Sequence, residues 1–402
     1  MTRVLVVDDS RFMRTVIGNA LDDAGYEVET AANGTEGVEL AGTFDPDVIT
    51  MDVEMPELGG IDAVGRIMTS DPAPILMLSA HTECGAEATL DALERGAVDF
   101  IHKPDGSDSR TIVDLTNEVI EKVDNLSEAN VSTVALARAT ATAHATRSRH
   151  SGNAGHSTTT GNAVAGGTGD VQVTDDHGTA GPDANPGFGT TTGSDDSASI
   201  ASERAAAPTI VLGASTGGPK IVEHVFDRLP LDLEAKGIVV QHMPPEFTSR
   251  FADRLDTHSD YDIYEATDGE WLEPGEVAVA PGDSHLKVAT AVDDCLRLQL
   301  DDGERVHGVR PSIDVAMESA ASTVERGLCG VVLTGMGFDG AAGIEAIKAA
   351  GGATIAQDEA TSPVFGIPCQ AIETGCVDTI APADGIVDAI VDAFTTDGET
   401  DD

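Results

Sequence analysis

Two groups of side chains in this sequence have the types and spacing for chemistry, and both fall where apolar runs give way to turns. In the first group, the run Val4–Val7 ends in Asp8 and Asp9, a second run ends in Asp52, a third in Ser79, and a fourth is followed by Lys103 and Pro104. If those runs are parallel strands, three carboxylates, a hydroxyl and an ammonium converge at one sheet edge, which is where such sheets bind ligands. Oxygen-only ligation suits Mg²⁺, which takes few carboxylates together with water and phosphate. One carboxylate can then attack phosphorus while Lys103 balances the charge on the phosphoryl oxygens. In the second group, the run Thr209–Leu212 enters Gly213-Ala-Ser215-Thr-Gly217, a G-x-S-x-G turn that projects a serine between strand and helix. The run Gly237–Val240 leads to His242, and Gly330–Leu333 leads through Thr334-Gly-Met336-Gly-Phe to Asp339. A serine becomes a nucleophile when a base takes its proton, and that base needs a carboxylate to fix its tautomer. Helices beginning at these turns would also direct free N–H groups at an oxyanion.

Each residue has an ordinary alternative. Asp and Ser are common as turn and N-cap residues after strands, and Gly/Ser turns serve packing. Gly335-Met-Gly337-Phe-Asp-Gly340 also fits the dinucleotide fingerprint, with Asp358 beyond the following strand. That reading leaves Ser215 and His242 unexplained and sets Asp339 where a pyrophosphate would approach. The α/β-hydrolase order of serine, acid, histidine is excluded with Asp339 as the acid, because no histidine follows it. The competing histidines His224, His258, His285 and His307 fall in a helix, at a helix end, and in loops or strand edges.

The elements that must position these groups follow from periodicity. Strands are predicted at Val4–Val7, Glu27–Thr30, Asp47–Met51, Ile75–Leu78 and Asp99–Ile101, with helices near 11–24, 35–42, 60–69, 83–95 and 108–123. Five such βα units imply a doubly wound parallel sheet. The alternation returns with strands at Ile210–Leu212, Gly237–Val240, Glu276–Val279, Gly330–Leu333 and Ala353–Ile355. Between the two, the sequence becomes rich in Ala, Thr, Gly, Ser and His, and apolar periodicity disappears. The expected organisation is an N-terminal domain over 1–124, a flexible low-complexity linker over 125–207, a second α/β domain over 208–394 and an acidic tail over 395–402. A flexible linker of about 80 residues has an end-to-end distance of order 50 Å.

Length and charge narrow the function classes. The chain has 402 residues, enough for two or three domains. Twenty-three Lys plus Arg face seventy Asp plus Glu, a net charge of −47, which repels nucleic-acid phosphates and anionic membrane surfaces. Neither nucleic acid nor direct membrane insertion is expected. Salt near 1 M would screen such a field within about 3 Å, as in halophilic cytoplasm. Cys84, Cys295, Cys329, Cys369 and Cys376 form no CxxC pair, so reduced, mostly buried thiols and a cytoplasmic location are expected. No run reaches the roughly 20 apolar residues of a membrane helix.

The first constellation resembles the receiver domain of two-component response regulators. That resemblance implies a flavodoxin-like five-stranded parallel sheet, with Asp52 as phosphoacceptor, Asp8, Asp9 and Asp52 around Mg²⁺, Ser79 as switch hydroxyl, Phe100 as switch aromatic, Lys103 on the phosphate, and a cis bond before Pro104. The segments GASTGGP, QHMPPEFTSRFADRL, APGDSH, RPSID and LTGMGFDGAAG together resemble the catalytic domain of the chemotaxis protein-glutamate methylesterase (CheB) family. This second resemblance implies Ser215 as nucleophile, His242 as base, Asp339 as orienter and a backbone N–H near Met336 in the oxyanion hole, with no cofactor at the esterase site. It further implies methyl-accepting chemoreceptors as substrate, a chemotaxis histidine kinase as phosphodonor, methanol as product, deamidation of receptor glutamines in many members, and a receiver whose phosphorylation unblocks the site. Arg310, Ser312 and Asp314 are candidate substrate contacts, with a strand-edge ion pair as the alternative. The linker is longer than the family leads one to expect, which argues against tight docking of the two domains. The rival reading is a receiver fused to a nucleotide-binding or non-catalytic protein-binding module.

Overall fold

Continuous apolar runs become strands buried on both faces, as parallel sheets require. A computed structural model describes residues 1–79, 83–103, 111–128 and 206–395. Most of the expected linker, the acidic tail from residue 396 and Pro104 with its predicted cis bond lie outside the described residues. The N-terminal domain holds β1 (Arg3–Val7), β2 (Glu27–Ala31), β3 (Val48–Asp52), β4 (Ile75–Ser79) and β5 (Asp99–His102). They alternate with α1 (Arg11–Asp23), α2 (Gly34–Phe44), α3 (Gly60–Ser70), α4 (Glu83–Glu94) and α5 (Ile112–Glu128). All pairings are parallel, in the order β2-β1-β3-β4-β5. Ser10 caps α1 by accepting from the Met13 N–H. The last helix runs past the expected boundary at 124 because its buried stripe of Leu115, Val119 and Val123 continues to Leu126.

The C-terminal domain contains β6 (Thr209–Ala214), α6 (Gly218–Arg228), β7 (Lys236–Gln241), α7 (Pro245–His258), β8 (Asp262–Glu265), β9 (Trp271–Leu272) and β10 (Glu276–Val279). It continues with β11 (His285–Val292), β12 (Cys295–Asp301), α8 (Ile313–Thr323), β13 (Leu328–Val332), α9 (Ala341–Ala349), β14 (Ala353–Gln357), α10 (Ile367–Glu373), β15 (Thr379–Ala381) and α11 (Ile386–Thr395). Seven strands form a parallel sheet in the order β15-β14-β13-β6-β7-β10-β8. The chain therefore builds outward in both directions from β6, and the crevice at such a reversal lies beyond the carboxyl end of that strand.

A second, antiparallel sheet of β11, β12 and β9 was not anticipated from the sequence. Its hairpin turn uses Asp293 and Asp294, both with positive φ (49° and 67°), in place of the Asn-Gly or Asp-Gly pair that would have signalled it. The Asp294 carboxylate accepts from the Ala207 N–H and pairs with the buried Lys236 ammonium at 2.8 Å, fastening the domain's entry point. Of the cysteines whose side chains are described, only Cys329 is buried; Cys295, Cys369 and Cys376 are partly exposed, and all are free thiols. No helix among the described residues is long and apolar enough to cross a membrane.

Candidate functional site

The acidic group at the carboxyl ends of β1 and β3 assembles around one ammonium. β1 and β3 pair directly, so Asp8 and Asp52 emerge side by side. The Lys103 Nζ lies 2.8 Å from Asp8 Oδ2 and 2.7 Å from Asp52 Oδ1. Asp8 Oδ1 also accepts from the Ser10 N–H at 2.8 Å, and Asp8 is fully buried. Asp8, Asp9 and Asp52 each present an oxygen within 4.8 Å of the others. Burial, reinforced by the charges of Asp8 and Asp9, pushes the Asp52 carboxyl up to about 6 against the pull of Lys103. Three carboxylates with one ammonium leave an uncompensated negative charge, and an all-oxygen donor set of this kind fits a magnesium ion. Ser79 ends β4 beside these groups and is fully buried, and its carbonyl accepts from the Lys103 N–H at 2.8 Å.

The second group assembles around β6. Ser215 follows Ala214, whose partner across the sheet is Gln241, so Ser215 and His242 leave adjacent strand ends. The His242 N–H donates to the Ala214 carbonyl at 3.0 Å. The Ser215 backbone is held on three sides: its N–H donates to Thr334 O at 3.0 Å, and its carbonyl accepts from the Gly218 N–H and the Gln241 amide, each at 2.8 Å. Gly217 completes the turn at φ 77°, a backbone state glycine adopts without strain. On the other flank, a Cβ at Gly335 would stand 2.7 Å from Ser215 Cβ, so only glycine lets the β13 loop approach the serine this closely. Among the described residues, the backbone N–H groups of Thr216 and Met336 donate to no protein acceptor.

His242 Nε2 lies 2.8 Å from Asp339 Oδ2. Asp339 is 2% exposed. Its Oδ1 accepts from Ser312 Oγ at 2.7 Å and the Asp314 N–H at 3.1 Å, while Oδ2 also accepts from the Ile313 N–H at 2.7 Å. The carboxylate thus sits on the amino end of α8, whose dipole favours an anion. Burial would raise its carboxyl, but the hydrogen bond and charge of His242, with the Ile313 N–H and Ser312 hydroxyl, hold it below the ordinary carboxylate value.

Of the candidate substrate contacts, Ser312 and Asp314 lie beside Asp339, and Arg310 lies in an ion pair with Asp283. Ser312 and Asp314 are buried, and the Ser312 hydroxyl and Asp314 N–H both donate to Asp339 Oδ1. The Arg310 guanidinium is tied to the carbonyls of Asp302 and Gly303 and to Asp283 Oδ1, the ion pair weighed as its alternative. The dinucleotide reading also fails here. The Gly340 and Gly343 N–H groups, which would have to receive a pyrophosphate, both donate to Asp314 Oδ1, at 2.8 and 2.7 Å. Gln241, Thr334, His285 and His307 belong to the site's support and were missed. His285 accepts the Ser312 N–H at Nδ1 and donates from Nε2 to Glu304 O. One signal was available: Ser312, directly before a helical run, is an N-cap pattern that places it at a helix start.

The two domains pack despite the long linker, contrary to the expectation drawn from its length. Phe100 stacks on Phe247 of α7 with ring centroids 4.4 Å apart, and His102 meets the same ring edge-on at 4.9 Å. Arg254 of α7 pairs with Glu94 of the receiver and with Glu223 of its own domain. The Lys220 ammonium donates to the Glu94 carbonyl at 3.1 Å. Val364 and Met336, beside the Ser215 loop, share an apolar cluster with Ile101 and Leu115. Lengthening a tether weakens docking only logarithmically, and burying these rings outweighs that cost.

Comparison with known proteins agrees with this geometry. Residues 4–129 match the family described as response regulator receiver domain, and residues 210–390 match CheB methylesterase. A Haloarcula marismortui protein named protein-glutamate methylesterase/protein-glutamine glutaminase is 45% identical over 98% of this chain and 98% of its own. A Halobacterium salinarum protein of the same name is 46% identical over 98% and 99%. A Pyrococcus horikoshii protein, also so named, is 39% identical over 97% of this chain and 93% of its own. With a receiver sheet carrying an acidic pocket, and a seven-stranded sheet carrying serine, histidine and aspartate at its topological switch, the chain belongs to the protein-glutamate methylesterase/protein-glutamine glutaminase family.

Proposed function

We propose that this chain is a phosphorylation-activated serine esterase that hydrolyses glutamyl methyl esters on chemoreceptors and deamidates receptor glutamines in chemotactic adaptation. The observation that carries the reading is the His242–Asp339 pair at 2.8 Å, set at the strand end next to Ser215. Asp339 engages Nε2, which leaves Nδ1 of His242 to take the Ser215 proton. Ser215 Oγ attacks the ester carbonyl carbon, and the oxyanion is received by the N–H groups of Thr216 and Met336. As the tetrahedral adduct collapses, His242 returns the proton to the departing methoxide, releasing methanol and leaving a glutamyl ester on Ser215. Water, deprotonated by His242, then hydrolyses that ester to glutamate; with a glutamine substrate the first leaving group is ammonia.

Control resides in the receiver. Asp52 takes a phosphoryl group from a histidine kinase, Lys103 balances its charge, and Ser79 and Phe100 respond to it. Asp8, Asp9 and Asp52 would hold Mg²⁺, which supplies charge neutralisation on the phosphoryl oxygens. The stack of Phe100 on Phe247 supports a receiver that covers the catalytic face until phosphorylated. We assign the receiver to 1–128, the linker to the segment that follows, and the catalytic domain to 208–394, in a cytoplasmic protein. The test is methanol release from methylated receptor membranes in high salt. Ser215→Ala should abolish release, and Asp52→Asn should keep basal release but lose stimulation by a phosphodonor. Undiminished release by Ser215→Ala would reject the assignment of the nucleophile.

A further inference from the structure

Behind the serine, histidine and aspartate lies a second imidazole–carboxylate pair that the reaction does not obviously need. Asp314 is 3% exposed, and its Oδ2 lies 2.9 Å from His307 Nε2. Its Oδ1 takes the N–H groups of Gly340 and Gly343, at the start of α9. Asp339, one residue before Gly340, in turn takes the N–H groups of Ile313 and Asp314 at the start of α8. Asp314 on α8 therefore caps α9, while Asp339, in the loop that leads into α9, caps α8. The exchange fixes the loop bearing Asp339 against α8 at both ends. Both Asp339 oxygens already accept two hydrogen bonds each, so the cluster is a closed hydrogen-bonded pair rather than an open set of cation ligands.

The two acids differ in what surrounds them. Asp339 has the imidazole of His242, two N–H groups and a hydroxyl. Asp314 is buried beside the Asp339 charge, which together with burial moves its carboxyl upward, against the Gly340 and Gly343 N–H groups and His307. The charged or titratable groups facing Asp314 are His307 from the preceding loop, Asp339 from the β13–α9 loop, His242 behind it from β7, and Glu318 one turn along α8. His307 also touches Phe338 edge-on at 4.6 Å, so the pair steadies the residue on either side of the Asp339 backbone.

We propose that Asp314, with His307 behind it, is a positioning residue of the esterase, holding Asp339 in the orientation that presents Oδ2 to His242 and adding a negative charge behind the imidazole. The proposal rests on the serine esterase reading. A carboxylate at 314 does two separable things: its Oδ1 anchors Gly340 and Gly343, and its charge favours the protonated imidazole. Asparagine keeps the first and loses the second, while alanine loses both.

The experiment measures kcat and KM for methyl ester hydrolysis across pH, with melting temperature, for wild type, Asp314→Asn, Asp314→Ala, His307→Ala and Ser215→Ala in the full chain. Asp314→Ala should lower kcat about 10²-fold with KM little changed, as displacement of a catalytic group does. Asp314→Asn should recover most of that loss, with the acid limb of its kcat profile moved to lower pH because the imidazolium is less favoured. His307→Ala should give a smaller fall in kcat. The proposal is overturned if Asp314→Ala matches wild type in kcat, or if Asp314→Asn restores the rate with the acid limb unmoved. It is also overturned if the Asp314→Ala loss follows melting temperature alone. An inactive wild type, or an active Ser215→Ala, would instead refute the esterase reading itself.

Discussion

Asp339 shows how much of the proposed catalytic design rests on single hydrogen bonds. Four donors converge on its two oxygens, and only one of them, His242, belongs to the reacting set. All four together, His242 foremost, keep the carboxylate ionised inside the protein, where an unpaired charge would be costly. Asp339→Asn should therefore reduce methanol release by about 10³-fold or more, since an amide in that position favours the wrong imidazole tautomer. Because asparagine preserves much of the hydrogen bonding to α8, circular dichroism and melting temperature should change far less than the rate. A melting temperature that collapses in step with activity would show that the carboxylate is a fold determinant first.

The decisive elements are the turns after β6, β7 and β13, which meet because β6 is the starting strand of a sheet that grows both ways. Ser215, His242 and Asp339 are separated by long stretches of chain, yet strand pairing brings their turns into contact. Gly335 marks how tight that contact is, with Ile367 Cδ1 2.5 Å and Ser215 Cβ 2.7 Å from where a Cβ would lie. Gly335→Ala should push the β13 loop away from the serine and cost about 10²-fold in kcat. Its receiver should still accept phosphate from a small-molecule donor, a control that separates local displacement from misfolding.

At the scale of the whole molecule, the function proposed above makes the contact between receiver and catalytic domain the regulated quantity. Arg254 bridges Glu94 of α4 and Glu223 of α6, and Arg254→Ala removes the cation that reconciles two carboxylates. Unphosphorylated activity should rise about five- to tenfold, the size of a modest coupling energy, while fully phosphorylated activity stays near wild type. Lys220 adds a pH dependence. Burial lowers its ammonium to about 8 against the pull of Glu223 and Glu94. A lysine whose pKa is depressed on docking loses a proton as the domains close, so closure strengthens as pH rises from near 8 towards the ordinary lysine value. Protection of the interface in hydrogen exchange, scaled for intrinsic rates, should therefore increase between pH 8 and 10. Lys220→Met should flatten that trend.

Much of this was legible in the sequence because the signals are local. Unbroken apolar runs such as Val4–Val7 and Thr209–Leu212 report buried parallel strands, and the polar residue that ends each run marks the carboxyl edge where chemistry gathers. Those two facts suffice for two α/β domains, an acidic phosphate pocket and a serine, histidine and aspartate brought to one edge. The antiparallel sheet escaped notice because its turn is made by Asp293 and Asp294, which tolerate positive φ but without a glycine signal a hairpin only weakly. The roles of Ser312, Asp314, His285 and His307 were equally hidden, since each is defined by a partner distant in the chain and by the direction in which a side chain is buried. Docking of the receiver was decided in the same way: a tether's length constrains how often two surfaces meet, while the stacking of Phe100 on Phe247 and the charges around Arg254 determine whether they stay. Sequence fixes which groups are present and which edge they reach; only packing in three dimensions selects which of them touch.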